Sequence, residues 1–228
     1  MLNHLRDSFT ADDKRAEALL EKVCHYIERV HRVEGVAQYY FSVEELMAGA
    51  HGIHDRGVEV AVNSLTIHPV LVGIHELGHV LDGAFLNCID LGGSPSDPPF
   101  EYASDLADNP RLAKNPIAPL LTNWFVAVQT SSYHRCLTKS AVEDDVSEPI
   151  QWQIRKLLRV RELWARSYEP FICRRNPKSK IAAQMDVECR DSALVGGARV
   201  HNYWQGNDFD SVENEIEIIF RRLGWLIN

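Results

Sequence analysis

The stretch from Val70 to Leu81 constrains the fold of this chain more than any other. Val70-Leu71-Val72-Gly73-Ile74 precedes the pentapeptide His75-Glu76-Leu77-Gly78-His79, and Val80-Leu81 follows it. Read as a helix, it is apolar on nearly all sides, which places it inside a core and not on a surface. Two histidines and a glutamate in such a helix need a compensating partner, because unpaired polar groups are costly there. A metal ion is one such partner. Histidines four apart share a helix face, roughly one turn apart, so both imidazoles can reach one zinc ion. Glu76 then points toward the open coordination position, where it can take a proton from water. The pattern predicts the working part of a zinc metallopeptidase. The plainer reading is a helix with two satisfied core histidines and a surface glutamate.

The chain of 228 residues is long enough for one well-buried domain. It is read as a single domain over 1–228, with 1–35 as an N-terminal helical extension. A hydrophobic content of 45% and a charged content of 25% are those of an ordinary soluble globular protein. The net charge of −8 argues against nucleic-acid binding by the whole molecule. Residues 154–180 run the other way, with nine Lys/Arg against two Glu, usually the sign of a solvated helix face and loop. No run approaches a transmembrane helix. Met1 to Phe9 is polar and is followed by Asp12, Asp13, Lys14 and Arg15, unlike a signal peptide. The five cysteines (Cys24, Cys88, Cys136, Cys173, Cys189) are scattered without a C-x-x-C pair and read as reduced thiols of a cytoplasmic protein. The expected partner is therefore a protein or peptide substrate, not a membrane or a nucleic acid.

Along the chain, residues 10–33 predict an amphipathic helix capped by Thr10, with Ala16, Leu19, Leu20, Val23, Ile27 and Val30 at helical spacing. Val36 to Phe41 predicts a strand. Ser42-Val43-Glu44-Glu45 resembles a capping box opening a short helix toward Ala50. His51 and His54 fall in a Gly-rich turn ending at Asp55-Arg56-Gly57, where histidines are commonly just solvated although their spacing suits a metal. Val58 to Val62 alternates like a half-buried strand and is the candidate edge strand for an extended substrate. Residues 92–99 and 109–119 read as loops, 121–128 as an apolar helical segment and 139–149 as an acidic loop. Residues 150–169 read as one long helix, 173–180 as a basic loop, and 211–223 as a final amphipathic helix.

A catalytic zinc site needs a third protein ligand and one open position. A third histidine of the metzincin type would require Gly at position 82 and His at 85, where this chain has Asp82 and Phe85. The remaining source is a carboxylate from a second helix, and the long helix offers Glu162 and Glu169. Glu162 shares an i, i+3/i+4 stripe with Leu158, Ala165 and Glu169, beside the apolar face of Leu157, Trp164 and Tyr168. Periodicity alone leaves it either a ligand or a boundary glutamate paired with Lys or Arg. Asp82, on the same face as both histidines, is either a hydrogen-bond partner for an imidazole N–H or a structural aspartate near the helix end.

The motif His75-Glu76-Leu77-Gly78-His79-Val80-Leu81-Asp82, followed by Glu162-Leu163-Trp164-Ala165-Arg166-Ser167-Tyr168-Glu169, resembles the zincin-like peptidase domains of polyvalent proteins from phages and conjugative elements. More distantly it is similar to the catalytic domain of anthrax lethal factor. The resemblance covers these two motifs firmly and the stretch from Tyr203-Trp204 to Trp225 loosely. It implies Glu162 as the third ligand of a gluzincin-type site and Glu169 as a packing residue or a support for a ligand. Such relatives often carry an oxyanion-stabilising tyrosine about two turns before that glutamate. Here Arg155 stands in that place with Trp152 nearby, and Tyr133 or Tyr102 are the candidates to substitute. The expectation is a helix-rich α+β zincin-like domain with a small edge-stranded sheet and two zinc-binding helices. The alternative function is a non-catalytic structural or regulatory zinc domain of mobile-element origin.

Overall fold

Pro69 at the first helical position opens helix α2 (Pro69–Phe85), and the segment has no polar face to turn outward. Most of its side chains are accordingly buried, Ile74, Leu77 and Leu81 completely. The computed structural model describes residues 5–33, 36–46, 52–55, 59–85, 103–108, 117–143, 146–195 and 198–227. The architecture is α+β and helix-rich: a four-stranded sheet lies on one side of α2, and helices enclose the rest.

Chain entry differs from the expected single helix. Phe9–Ala11 forms strand β1, and α1 spans Lys14–Glu28. Thr10 is therefore a strand residue paired with Tyr40, and Asp13 is the cap, accepting from the Ala16 N–H at 2.7 Å. The apolar side of α1, including Leu20, Val23 and Ile27, joins the common core, so the N-terminal segment is part of the body and not an appendage.

Strand β2 (Tyr39–Glu44) pairs parallel with both β1 and β4 (Glu59–Asn63). Ser42 to Glu44 thus extends a strand where a capping box was expected, with Ser42 paired to Ala61. The region read as a Gly-rich turn holds strand β3 (Gly52–Asp55), antiparallel to β4. The sheet order β1-β2-β4-β3 makes β4 internal and leaves β1 and β3 at the two edges, correcting the assignment of 58–62 as edge strand. His51 lies outside the described residues.

Helices α3 (Ala118–Thr130) and α4 (Ser132–Ser140) meet at Ser131, whose hydroxyl accepts from the His134 N–H. The expected long helix 150–169 is two helices, α5 (Glu148–Leu157) and α6 (Val160–Arg175). Between them the backbone turns extended at Arg159. No glycine or proline marks the break, so nothing local signals it. Beyond α6, Asn176 donates through Nδ2 to the Ile172 and Tyr26 carbonyls, closing that helix and tying it to α1. Helix α7 (Lys180–Arg190), a hairpin of β5 (Ser192–Val195) and β6 (Ala198–His201), and α8 (Asp210–Arg222) complete the chain.

The basic stretch 154–180 is partly neutralised where α6 meets the C-terminal helix. Arg174 bonds Asp210 at 2.7 Å and Glu213 at 2.9 Å, and Arg175 bonds Glu217 at 2.5 Å, all on α8. Cys24, Cys136, Cys173 and Cys189 are unbridged, and Cys88 lies outside the described residues. Among the described residues, no helix is long and apolar enough to cross a membrane.

His31 sits fully buried, stacked on Phe220 at 4.4 Å. Its Nδ1 lies 3.0 Å from the Arg32 carbonyl and must donate to it; in the neutral ring Nε2 then accepts from the Tyr168 hydroxyl at 2.7 Å. Burial favours the neutral ring, lowering its pKa from 6.5 to about 4. The unfolded chain therefore binds a proton that the folded chain refuses, and stability is lost as pH falls from about 6.5 toward about 4. Denaturation midpoints measured across that window will drop, and the drop will be shallower in a His31→Gln variant. An equally steep acid limb in that variant contradicts the assignment.

Candidate metal centre

Helix α6 crosses α2 at Gly78, and this crossing builds the site. A Cβ at Gly78 would sit 3.2 Å from the Ala165 backbone and 3.1 Å from the Tyr168 ring, tighter than ordinary contact. The Trp164 indole N–H donates to the Gly78 carbonyl at 3.1 Å, locking the register of the two helices. Register matters because Glu162 stands in the first turn of α6, less than one turn before Trp164. The close approach brings its carboxylate over the histidine face of α2.

The Nε2 atom of His75 lies 3.4 Å from Glu162 Oε1, and Nε2 of His79 lies 3.7 Å from Oε2. One ligand atom from each of the three residues falls within 4.8 Å of the others. Donors about 2.0–2.2 Å from a tetrahedral ion stand about 3.3–3.6 Å apart, so the group, spread over as much as 4.8 Å, would draw together to close on one. His75, His79 and Glu162 therefore form a group that could hold a metal ion. The Glu162 side chain is the most accessible of the three at 27%, leaving the group open on the α6 side.

Behind the group, the Nδ1–H of His75 donates to Glu169 Oε1 at 2.6 Å, which leaves Nε2 facing the centre. Glu169 is one of the two carboxylates the second helix offered, and the structure uses it behind the ligand. Its other oxygen accepts from the Tyr203 hydroxyl at 2.5 Å. Glu76 is 6% exposed, and burial raises its carboxyl to about 7, helped by Glu162 and Glu169 and opposed by His75. Burial works against charge on His75, yet Glu162 and Glu169 raise its pKa. Burial likewise opposes ionisation of Glu162, but His75 and His79 beside it hold it well below the usual carboxylate range. For His79 burial prevails and the pKa is lowered. The result is a largely desolvated cluster in which two imidazoles face acidic side chains.

Of the two roles open to Asp82, the structure shows the structural one and not the support of an imidazole. Its two oxygens accept from the Ser104 N–H at 2.7 Å and the Ser104 hydroxyl at 2.6 Å, fastening the 3-10 helix Ala103–Asp108 to α2. Tyr133 is buried near the site but committed: its hydroxyl accepts from Arg166 Nε at 3.1 Å and donates to the Asn202 carbonyl at 3.1 Å. Arg166 also donates through Nη2 to that carbonyl. Tyr102 lies outside the described residues. Arg155 is on α5, bonded to Gln151 and the Ala141 carbonyl. Tyr203, Arg166 and Ser104 carry parts of the site that the sequence did not single out. Tyr203 follows a hairpin that Gly196-Gly197, between Ser192–Val195 and Ala198–His201, could have signalled, and Ser104 borders segments with no periodicity.

The helix crossing yields a direct test. A Gly78→Ala substitution crowds the Ala165 backbone and will cost about 1–3 kcal/mol of stability. It will also weaken metal uptake by moving Glu162 outward. Denaturation midpoints with and without added metal report both effects, and unchanged metal affinity in the variant contradicts the role given to the crossing. Compared with protein-family models, curated proteins and solved structures, the chain matches none of them.

Proposed function

We propose that the chain is a zinc-dependent metallopeptidase of zincin-like fold that hydrolyses peptide bonds with water. The observation that carries this reading is the convergence of His75, His79 and Glu162 with the buried carboxyl of Glu76 on the same helix. Two imidazoles and one carboxylate form a donor set typical of catalytic zinc, whereas magnesium and calcium favour oxygen alone. When bound, zinc supplies Lewis acidity, polarising a carbonyl and acidifying water.

The protein's own groups do the rest. His75 and His79 present Nε2, and Glu169 keeps the proton of His75 on Nδ1. With a pKa raised by burial to about 7, Glu76 can accept the proton of the attacking water on its carboxylate. It then returns that proton to the leaving amine, so the residue ends the cycle as it began. The outer edge of β3, the antiparallel edge strand beside α2, offers backbone groups to an extended peptide. The resemblance to mobile-element peptidase domains supports the same reading.

One observation favours the second reading, a zinc-containing domain without turnover. The hydroxyls of Tyr133 and Tyr203 are both engaged by protein groups. Among the described residues, neither tyrosine points an uncommitted donor at a developing oxyanion.

A Glu76→Gln variant separates the two. The peptidase reading predicts metal content equal to wild type and hydrolysis of an unstructured protein substrate reduced at least about 100-fold. Equal hydrolysis by both proteins removes Glu76 from the mechanism. Bound metal with no hydrolysis by either favours the non-catalytic domain.

A further inference from the structure

We propose that Tyr203 is a positioning residue of the metal centre, acting through Glu169 on His75; this rests on the reading of His75, His79 and Glu162 as a metal site. The Glu169 side chain is 3% exposed, so each of its oxygens needs a donor from the protein. One oxygen takes the His75 Nδ1–H at 2.6 Å, and the other takes the Tyr203 hydroxyl at 2.5 Å. The order Tyr203–Glu169–His75 is therefore a continuous chain of hydrogen bonds ending on a ligand ring.

The chemistry of the outer donor decides what that chain does. A phenol is neutral, so it fixes the carboxylate without cancelling its charge. The carboxylate so held accepts the imidazole N–H, which raises the donor strength of Nε2 and holds the ring plane toward Glu162. The Tyr203 ring is itself clamped: the Arg166 guanidinium lies over it at 4.5 Å. Arg166 is held in turn by the Tyr133 hydroxyl and the Asn202 carbonyl. The residues just after the β5–β6 hairpin thus set the orientation of a ligand on α2, a helix more than a hundred positions earlier in the chain. Ring packing alone would be served equally by phenylalanine; the hydroxyl adds only the bond to Glu169.

Zinc affinity measured by competition with a chromophoric chelator, on the wild type, Tyr203→Phe, Glu169→Gln and the double variant, tests this. Tyr203→Phe is expected to weaken zinc binding roughly tenfold. Its cobalt-substituted absorption spectrum is expected to shift, because the His75 ring loses its fixed plane. The double variant is expected to bind no more weakly than Glu169→Gln alone, since Tyr203 acts only through that carboxylate. Wild-type affinity and an unchanged cobalt spectrum in Tyr203→Phe overturn the proposal while leaving the metal site standing. Additive losses in the double variant overturn it too, because they require a route that bypasses Glu169. A wild-type chain that takes up no zinc overturns the metal reading and this proposal together.

Discussion

The contact between α2 and α6 at Gly78 is the constraint on which the rest of the structure depends. A helix without a polar face must be covered on every side, and α2 is covered by α1, the sheet and α6. Two glycines make this possible at close range. Gly73 faces α1, where a Cβ would meet Val23 at 2.6 Å, and Gly78 faces α6. The indole of Trp164 then converts proximity into register by bonding the Gly78 carbonyl. Once that register is set, Glu162 and Glu169, seven positions apart on α6, fall on either side of His75. A packing solution for an apolar helix and the geometry of a ligand group are the same event.

The same packing concentrates polar groups where solvent is scarce. His75, His79, Glu76, Glu162 and Glu169 share a small volume, and the fold manages them by mutual pairing. Around them stands a second ring of bonds from Tyr203, Arg166 and Tyr133, and Asp82 closes another face through Ser104. Buried polar networks of this kind are stable only when nearly every member is satisfied. Satisfaction here rigidifies the side chains that face the site. On the opposite side of α6, Arg174 and Arg175 meet the acids of α8, so part of the basic stretch read as a solvated face and loop serves to dock two helices.

How much of this was legible in the sequence depends on whether the determinant was local. The pentapeptide, the buried character of α2 and the final helix were written in spacing and hydrophobicity, whereas spacing left Glu162 and Glu169 both open and only the resemblance singled out Glu162. The break between α5 and α6 was not, because Leu157 to Val160 contains only ordinary helix formers and the turn is imposed by packing. The placement of β4 inside the sheet was equally hidden: it follows from β3 pairing along its flank, through residues whose glycine and histidine content suggested a turn. Thr10 had the chemistry of a cap, but pairing of β1 with β2 claimed its backbone and left the role to Asp13. Tyr203 reaches Glu169 across 34 positions; the Gly196-Gly197 pair signals the hairpin before it, but no local pattern signals a contact that only the tertiary packing creates.

Metal-edge anomalous diffraction from crystals grown with zinc tests the central claim most directly. The account predicts one strong peak within bonding distance of His75 Nε2, His79 Nε2 and a Glu162 oxygen, with Glu169 still bonded to His75 behind it. The absence of a peak there, or a zinc ion held by other residues while Glu162 turns to solvent, would contradict it.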